Sequence, residues 1–439
     1  MKIMIDGHNL GLKEFTGIGV YASNLATNLQ TLGHDISILY SMYSGSEKFP
    51  ENIEFYQKLA TEGEAASSGI LKWAYHGFPY YLSQLFGKGL TPKKVQTNIQ
   101  LINQGLNRKI PNGATPYNLP HFFRVSQAFS AISAKNLNVN LTGMDVLHLT
   151  LPLPISARGV KKVVTVHDLI PLKLPLSTSV NISHYANILK SSLKDADLIF
   201  TVSNQSKLDL IEIMNIPDEK IHVTYQSSFI PNNLLNLPQE RIETVLENYN
   251  LKYKKYFIFY GAVEPKKNVL RLLQAFSKAN TDCKLVVLGK NGWLYEQEEK
   301  FFDAQRYNQK YNQDAEKRFN PKIIRIPYSD FSEMMTLLKG ANSLIFPSLY
   351  EGFGLPVLEA MQMGIPVITS NTSCLPEVAG NAAFYVDPYS IDDIINAIET
   401  LSSDNALLSK LSSLGLEQAQ NFSEEKYQEN LAAGYNLLK

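Results

Sequence analysis

The stretch Ser343-Leu344-Ile345-Phe346-Pro347-Ser348-Leu349-Tyr350-Glu351-Gly352-Phe353-Gly354-Leu355-Pro356-Val357-Leu358-Glu359 decides the fold class. Ser343–Phe346 reads as a buried strand, and Pro347-Ser348 stops it. Glu351–Gly354 is a glycine-containing loop, and Pro356 suits the first turn of a helix. Glycines at such a junction let backbone N–H groups approach a ligand closely. The helix N-terminus adds a partial positive charge suited to phosphate. Two carboxylates bracket the junction. Glu359, one turn inside the helix, is placed to accept hydrogen bonds from a ribose diol. Glu351, on the loop, is placed to meet a sugar. The plain alternative is a capped surface helix with incidental acids, and the flanking segments speak against it.

Those segments alternate strand and helix. Phe257–Tyr260, Lys284–Leu288, Ile323–Ile326 and Val367–Thr369 read as strands. Val269–Lys278, Phe331–Gly340 and Ile391–Leu401 read as helices between and after them. The first half repeats the scheme. Ile3–Asp6, a helix from about Gly19 to Leu32, and Ile36–Tyr40 form a β-α-β unit. Val146–Leu149, Val163–Val166 and Ile199–Val202 are continuous in apolar or β-branched residues, as buried parallel strands are. The expected architecture is α/β, with two Rossmann-like parallel-sheet domains facing a central cleft. Ligands in such sheets sit at the carboxyl ends of the strands. Residues 1–240 are assigned to the first domain, 250–420 to the second, and 421–439 to a helix returning to the first. The polar run Asn236–Asn250, with Pro238, is the linker candidate.

The bulk numbers fit two soluble domains. The chain has 439 residues, 44% of them hydrophobic and 19% charged. With 41 basic and 41 acidic residues, global charge selects no partner. The 2 cysteines, Cys283 and Cys374, make neither a disulfide framework nor a zinc-ligand spacing, which fits a reducing compartment. Lys2–Asp6 reads as a strand and not as a signal peptide. No stretch approaches the roughly 18 apolar residues of a spanning helix. A cytoplasmic protein is expected, with any membrane contact peripheral, at the inner face of the cell membrane.

Residues 65–144 break the alternation. They contain no Asp or Glu, and carry Lys72, Lys88, Lys93, Lys94, Arg108, Lys109, Arg124 and Lys135 among many aromatics. They are expected to be inserted helices and loops. Two readings stand side by side. In one, Trp73, Tyr75, Phe78, Tyr80, Tyr81 and Phe86 form an interfacial helix that meets an anionic membrane, an acidic glycan or phosphates. In the other, they are a local core under a solvated basic face. Nucleic acid is not expected, since no recognised binding motif accompanies the charges.

The sequence resembles the retaining glycosyltransferases of the GT-B fold (glycosyltransferase group 1 / family 4, mannosyltransferase-like), whose hallmark is a Glu-x7-Glu motif such as Glu351–Glu359. Gly261–Asn268 (GAVEPKKN), Gly289–Tyr295 (GKNGWLY), Thr165–Leu172 (TVHDLIPL), Thr201-Val202-Ser203 and Pro366–Pro388 with its LPEVAG centre look like the same family. The resemblance covers the whole second domain, and residues 1–40 and 145–230 of the first. It does not reach 65–144.

The resemblance implies a hexosyltransferase that retains configuration and needs neither metal nor cofactor. Its donor is a nucleotide-diphosphate sugar, with GDP-mannose favoured over UDP-sugars, and its acceptor a glycan or lipid-linked glycan of the cell surface. Lys267 should hold the donor diphosphate and stabilise the leaving group, with Lys266 beside it. The position where the family often carries Arg is Ala262. His167, at the end of a strand, should contact the transferred sugar by side chain or main chain. Gly17 and Gly19, in the first strand-to-helix loop, should lie near the diphosphate or the acceptor hydroxyl. Gly261, Gly352, Phe353, Gly354, Leu355 and Glu359 complete the donor site, and Glu351, His167 and Lys267 are the catalytic set. No carboxylate stands out as a covalent nucleophile, which favours a front-face reaction.

Competing motifs are weaker. Gly17-x-Gly19-x-x-Ala22 matches a dinucleotide fingerprint, but the loop from Asp6 is too long and the strand Ile36–Tyr40 ends without a ribose-binding acid. Asp195-Ala196-Asp197 resembles a metal-binding triplet, but ends a helix where both acids can pair locally. The rival classes are a nucleotide-sugar epimerase or phosphorylase with paired Rossmann domains, and a non-catalytic glycan- or nucleotide-binding subunit.

Overall fold

The structure is a computed structural model. It describes all residues except 14–16, 44–50, 62, 64–79, 81, 84–88, 97–105 and 312–320, and only the backbone of 304–311. The first half gives β1 (Lys2–Asp6), β2 (Asp35–Tyr40), β3 (Lys93–Lys94), β4 (Thr115–Asn118), β5 (Leu137–Asn138), β6 (Val146–Leu149), β7 (Ile155–Ser156), β8 (Lys161–Val166), β9 (Leu198–Thr201) and β10 (Ile221–Val223). β5 and β7 pair with each other. The rest form an 8-stranded sheet in the order β10-β9-β8-β6-β1-β2-β4-β3. The second half gives β11 (Tyr256–Tyr260), β12 (Lys284–Leu288), β13 (Ile323–Ile326), β14 (Ser343–Phe346), β15 (Val367–Ser370) and β16 (Ala383–Val386). They form a 6-stranded parallel sheet in the order β13-β12-β11-β14-β15-β16.

The strands form where apolar runs can be buried on both faces. In β11 the run Tyr256-Phe257-Ile258-Phe259-Tyr260 is buried throughout. Helices cover the faces with amphipathic stripes. Val269–Lys278 buries Val269, Leu272, Leu273, Ala275 and Phe276, the spacing of one helical face.

Two expectations about organisation change. The stretch 65–144 is not only helices and loops. β4 continues the first sheet in parallel register, Ser37↔Thr115 to Tyr40↔Asn118, and β3 runs antiparallel beside it. Burial alternates along this strand, but the buried positions are Pro116 and Asn118, so no apolar alternation marks it in the sequence. The run Asn236–Asn250 is not an extended linker. It holds the helix Gln239–Glu247, whose buried Ile242 and Leu246 pack under Gly340 of the helix Phe331–Gly340. That apolar pair, four residues apart, outweighed the polar composition.

Within 65–144, Tyr80 is buried and stacks on Phe122 with ring centroids 6.1 Å apart. Lys109 donates to the carbonyls of Leu12 (2.8 Å) and Leu59 (2.6 Å). Both are structural here. Trp73, Tyr75, Phe78, Tyr81 and Phe86, on which the interfacial reading rests, lie outside the described residues. No helix among the described residues is long and apolar enough to cross a membrane.

The last helix, Glu424–Asn436, lies on the first half. Gln428 donates to Asn28 Oδ1 (2.9 Å), His222 Nε2 meets the Asn430 carbonyl (2.9 Å), and Tyr435 OH meets His148 Nδ1 (2.6 Å). His148 is buried, its other nitrogen 2.8 Å from Thr165 Oγ1, and burial drives its pKa down to about 3, so it is neutral. Asp195 and Asp197 pair with Lys162 (2.6 Å) and Lys161 (3.1 Å).

Candidate active site

The carboxyl ends of the two sheets meet, and the loops leaving them touch. Gly352 lies against His167: a Cβ on Gly352 would sit 2.5 Å from the His167 carbonyl oxygen. Ser203 Oγ, just after β9, donates to the Gly352 carbonyl (2.7 Å). Ser206 Oγ donates to the His167 carbonyl (2.8 Å). Glycine is required at 352 because any side chain would hold the two loops apart.

Glu351 is buried, with 7% of its surface exposed. Lys267 Nζ lies 2.6 Å from its Oε1. Burial alone would raise the Glu351 pKa, yet the charges of Lys267 and Lys266 overcome it and hold the carboxyl below its ordinary value. Its loop is pinned from below. Ser373 Oγ donates to the Glu351 carbonyl (2.7 Å), and Cys374 Sγ donates to the same oxygen (3.1 Å).

Lys267 ends a one-turn helix, Pro265–Lys267, that Pro265 opens and Asn268 closes at φ 59°. Asn268 Nδ2 donates to the Pro347 (3.0 Å) and Pro388 (2.6 Å) carbonyls, which fixes the turn against the second sheet. The Lys267 ammonium also lies 5.0 Å from the Phe346 ring centroid. Lys266 pairs with Glu264 at 3.4 Å. Burial works against its charge, but Glu351, Asp168 and Glu264 together raise its pKa. Two ammonium groups and two buried carboxylates thus share one corner of the cleft.

Glu359 stands apart from this corner. Tyr260 OH donates to its Oε2 (2.6 Å) and Ser228 Oγ to its Oε1 (3.2 Å). Burial pushes its pKa up to about 7, against the opposing effect of those hydrogen bonds. Gly261 (φ 143°) ends β11, and Gly289 (φ 137°) packs on the Gly261 backbone, leaving no room for a side chain there. Gly354 (φ 99°) caps the helix Leu355–Gln362 in the left-handed region. Phe353 is buried, its ring edge-on against Phe422 with centroids 5.6 Å apart. Leu355 is half-buried against the core.

His167 Nε2 is 2.9 Å from the Thr150 carbonyl, so it carries the proton and Nδ1 is left as an acceptor. Burial lowers the His167 pKa and favours this neutral form. Its ring meets Tyr21 edge-on at 4.7 Å. Tyr21 lies on the helix Gly17–Thr31. Gly17 and Gly19 therefore fall in the first turn of that helix and not in the loop before it. Among the described residues, nothing lies within 4 Å of a Cβ placed on Gly17.

Two family models match this chain. That of the glycosyl transferases group 1 covers residues 242–428, and that of glycosyltransferase family 4 covers 15–226. The O-antigen chain mannosyltransferase B of Escherichia coli is 31% identical over 287 residues, 63% of this chain and 71% of that one. The chain belongs to the glycosyltransferases. The serotype-specific mannosyltransferase WbdA of Escherichia coli is 26% identical over 279 residues, and the match covers 62% of this chain and 33% of that longer one. In fold, this glycosyltransferase is similar to HepE of Anabaena in complex with UDP and glucose. The TM-score is 0.66 at 12% identity, covering 99% of each chain. The fold is thus GT-B.

Several residues of this glycosyltransferase cleft went unmarked in the sequence reading. Glu264 lies beside Glu351 and Lys266, and burial raises its pKa. Tyr260 and Ser228 hold Glu359. Ser203, Ser206 and Glu377 join the two halves. Glu264 and Tyr260 sit inside or next to segments already singled out. Ser203 and Glu377 likewise lie inside the quoted segments Thr201–Ser203 and Pro366–Pro388, whereas Ser206 and Ser228 depend on contacts that no local pattern encodes.

Proposed function

We propose that this glycosyltransferase is a retaining, metal-independent hexosyltransferase. It moves a hexose from a nucleotide-diphosphate sugar to a glycan or lipid-linked glycan acceptor in cell-surface polysaccharide synthesis. The observation that carries the reading is the ion pair of Lys267 and Glu351 in the closed cleft, with Gly352 against His167. In the free protein the pair neutralises itself. A donor diphosphate would draw the Lys267 ammonium, and the transferred sugar would lie between Glu351 and His167. Lysine ammonium groups are the cations at hand for the phosphates, which supports a metal-independent reading.

In the proposed front-face reaction, the C1–O bond to the diphosphate breaks and the acceptor oxygen bonds C1 on the same face. The acceptor proton passes to the leaving phosphate oxygen. Lys267 stabilises the charge that develops there. Neutral His167 offers Nδ1 as an acceptor to a sugar hydroxyl. Glu359 accepts from the ribose hydroxyls.

GDP-mannose is the favoured donor, because the named relatives are mannosyltransferases. A UDP-sugar is the second reading, since HepE, similar in fold, was solved with UDP. The cytoplasm, at the inner face of the membrane where lipid-linked acceptors are exposed, is the proposed site of action. A transfer assay with GDP-mannose and with UDP-hexoses, using short mannose oligosaccharides as acceptors, tests the reading. Nucleoside diphosphate release that rises with acceptor supports it. Donor turnover to a free epimer, or no turnover with any donor, contradicts it.

A further inference from the structure

The helix Asn204–Met214 starts at the carboxyl end of β9, in the first half. Its free N–H groups meet a carboxylate from the second half. Asn204 N–H and Asn204 Nδ2 donate to Glu377 Oε1, at 2.8 and 2.7 Å. Gln205 N–H reaches Oε2 at 3.4 Å. A carboxylate at a helix N-terminus meets both unpaired donors and the positive end of the helix dipole.

The segment that carries Glu377 is tied at its other end to the candidate site. Ser373 and Cys374 hold the Glu351 carbonyl, and Cys374 Sγ also reaches the Phe353 carbonyl (3.2 Å). The helix that Glu377 caps is itself tied to both reacting loops. Ser203, its N-cap, holds the Gly352 carbonyl, and Ser206, in its first turn, holds the His167 carbonyl. One carboxylate therefore closes a ring of contacts: Glu377 to Asn204, Ser203 to Gly352, Ser206 to His167, and Cys374 back to Glu351.

We propose that Glu377 is a positioning residue: it latches the second half onto the first and so sets the Glu351 loop against His167. The role rests on the site assignment above. The latch favours the closed arrangement without touching the donor. Its loss leaves the nucleotide-binding elements of the second half intact and lets the two halves separate.

The test uses the full chain and three proteins: wild type, Glu377→Gln and Glu377→Ala. Small-angle X-ray scattering is recorded with and without GDP and UDP. Nucleotide affinity, melting temperature and transfer kinetics are measured on the same samples. Glu377→Ala is expected to show a larger radius of gyration than wild type. Its kcat should fall about tenfold, the worth of one charge-assisted hydrogen bond. Its nucleotide Kd should stay within about twofold of wild type. Glu377→Gln, which keeps an acceptor oxygen but loses the charge, should fall between the two. Scattering identical to wild type overturns the latch. So does a loss of nucleotide affinity or folding that matches the loss of kcat. If wild type transfers no sugar, the functional proposal fails, and the scattering still decides the latch.

Discussion

Lys267 Nζ and Glu351 Oε1 lie 2.6 Å apart, with 14% and 9% of their side-chain surfaces exposed. A pair this buried holds together because each charge answers the other, and removing either strands its partner. Glu351→Ala and Lys267→Ala should each lower kcat at least about a hundredfold, with circular dichroism showing the fold retained. Full activity of both variants sinks the site assignment.

The same pair has a pH signature. The Glu351 pKa is held below its ordinary value in the folded protein. Its contribution to stability is therefore present above the unfolded pKa, about 4.3, and is lost as pH falls through the folded value. Urea midpoints of wild type between pH 3 and 6 should drop more steeply than those of Glu351→Gln. Parallel curves contradict the assigned electrostatics.

Glu359 behaves in the opposite sense. Its pKa is raised to about 7. Between the unfolded value of about 4.3 and about 7 the folded state binds more protons, so this group's contribution falls as pH rises. If the ionised carboxylate accepts the ribose hydroxyls, nucleotide affinity should tighten from pH 6 to pH 8. Glu359→Gln should flatten that profile, as calorimetric titration would reveal. Tyr260→Phe removes a donor to Oε2 and should move the profile to higher pH.

Gly352→Ala tests contact between the halves without deleting any functional group. Its Cβ would meet the His167 carbonyl at 2.5 Å, and overpacking of this kind costs about 1–3 kcal/mol. The expected outcome is a kcat loss of about tenfold or more with nucleotide affinity nearly unchanged. Wild-type kcat would show that the two loops need not meet.

The helix Glu424–Asn436 should be a stability element. Tyr435→Phe leaves the buried His148 nitrogen without its 2.6 Å partner. A loss of about 1–3 kcal/mol is expected in equilibrium unfolding, while transfer by the folded fraction is unaffected.

The central parallel strands of both sheets were legible because they are buried on both faces, so apolar runs such as Phe257–Tyr260 announce themselves without alternation. The junction Ser343–Glu359 was legible because strand, glycine loop and helix follow one another in sequence. Thr115–Asn118 was not, since its strand character comes from pairing with Ser37–Tyr40 across the chain. The partners of the site residues were hidden for the same reason. Tyr260 and Glu359 stand 99 residues apart, and Asn204 and Glu377 stand 173 apart. Phe353 was marked for its motif position, but its ring packs on Phe422, a contact the motif does not encode.

The central claim is that Lys267 and Glu351 belong to a nucleotide-sugar site. Calorimetric titration of GDP-mannose, UDP-glucose and ADP-glucose into wild type and Lys267→Ala tests it most directly. Wild type is expected to bind one donor saturably, with affinity weakened at least about tenfold in the variant. Binding of none, or equal binding by both proteins, would contradict it.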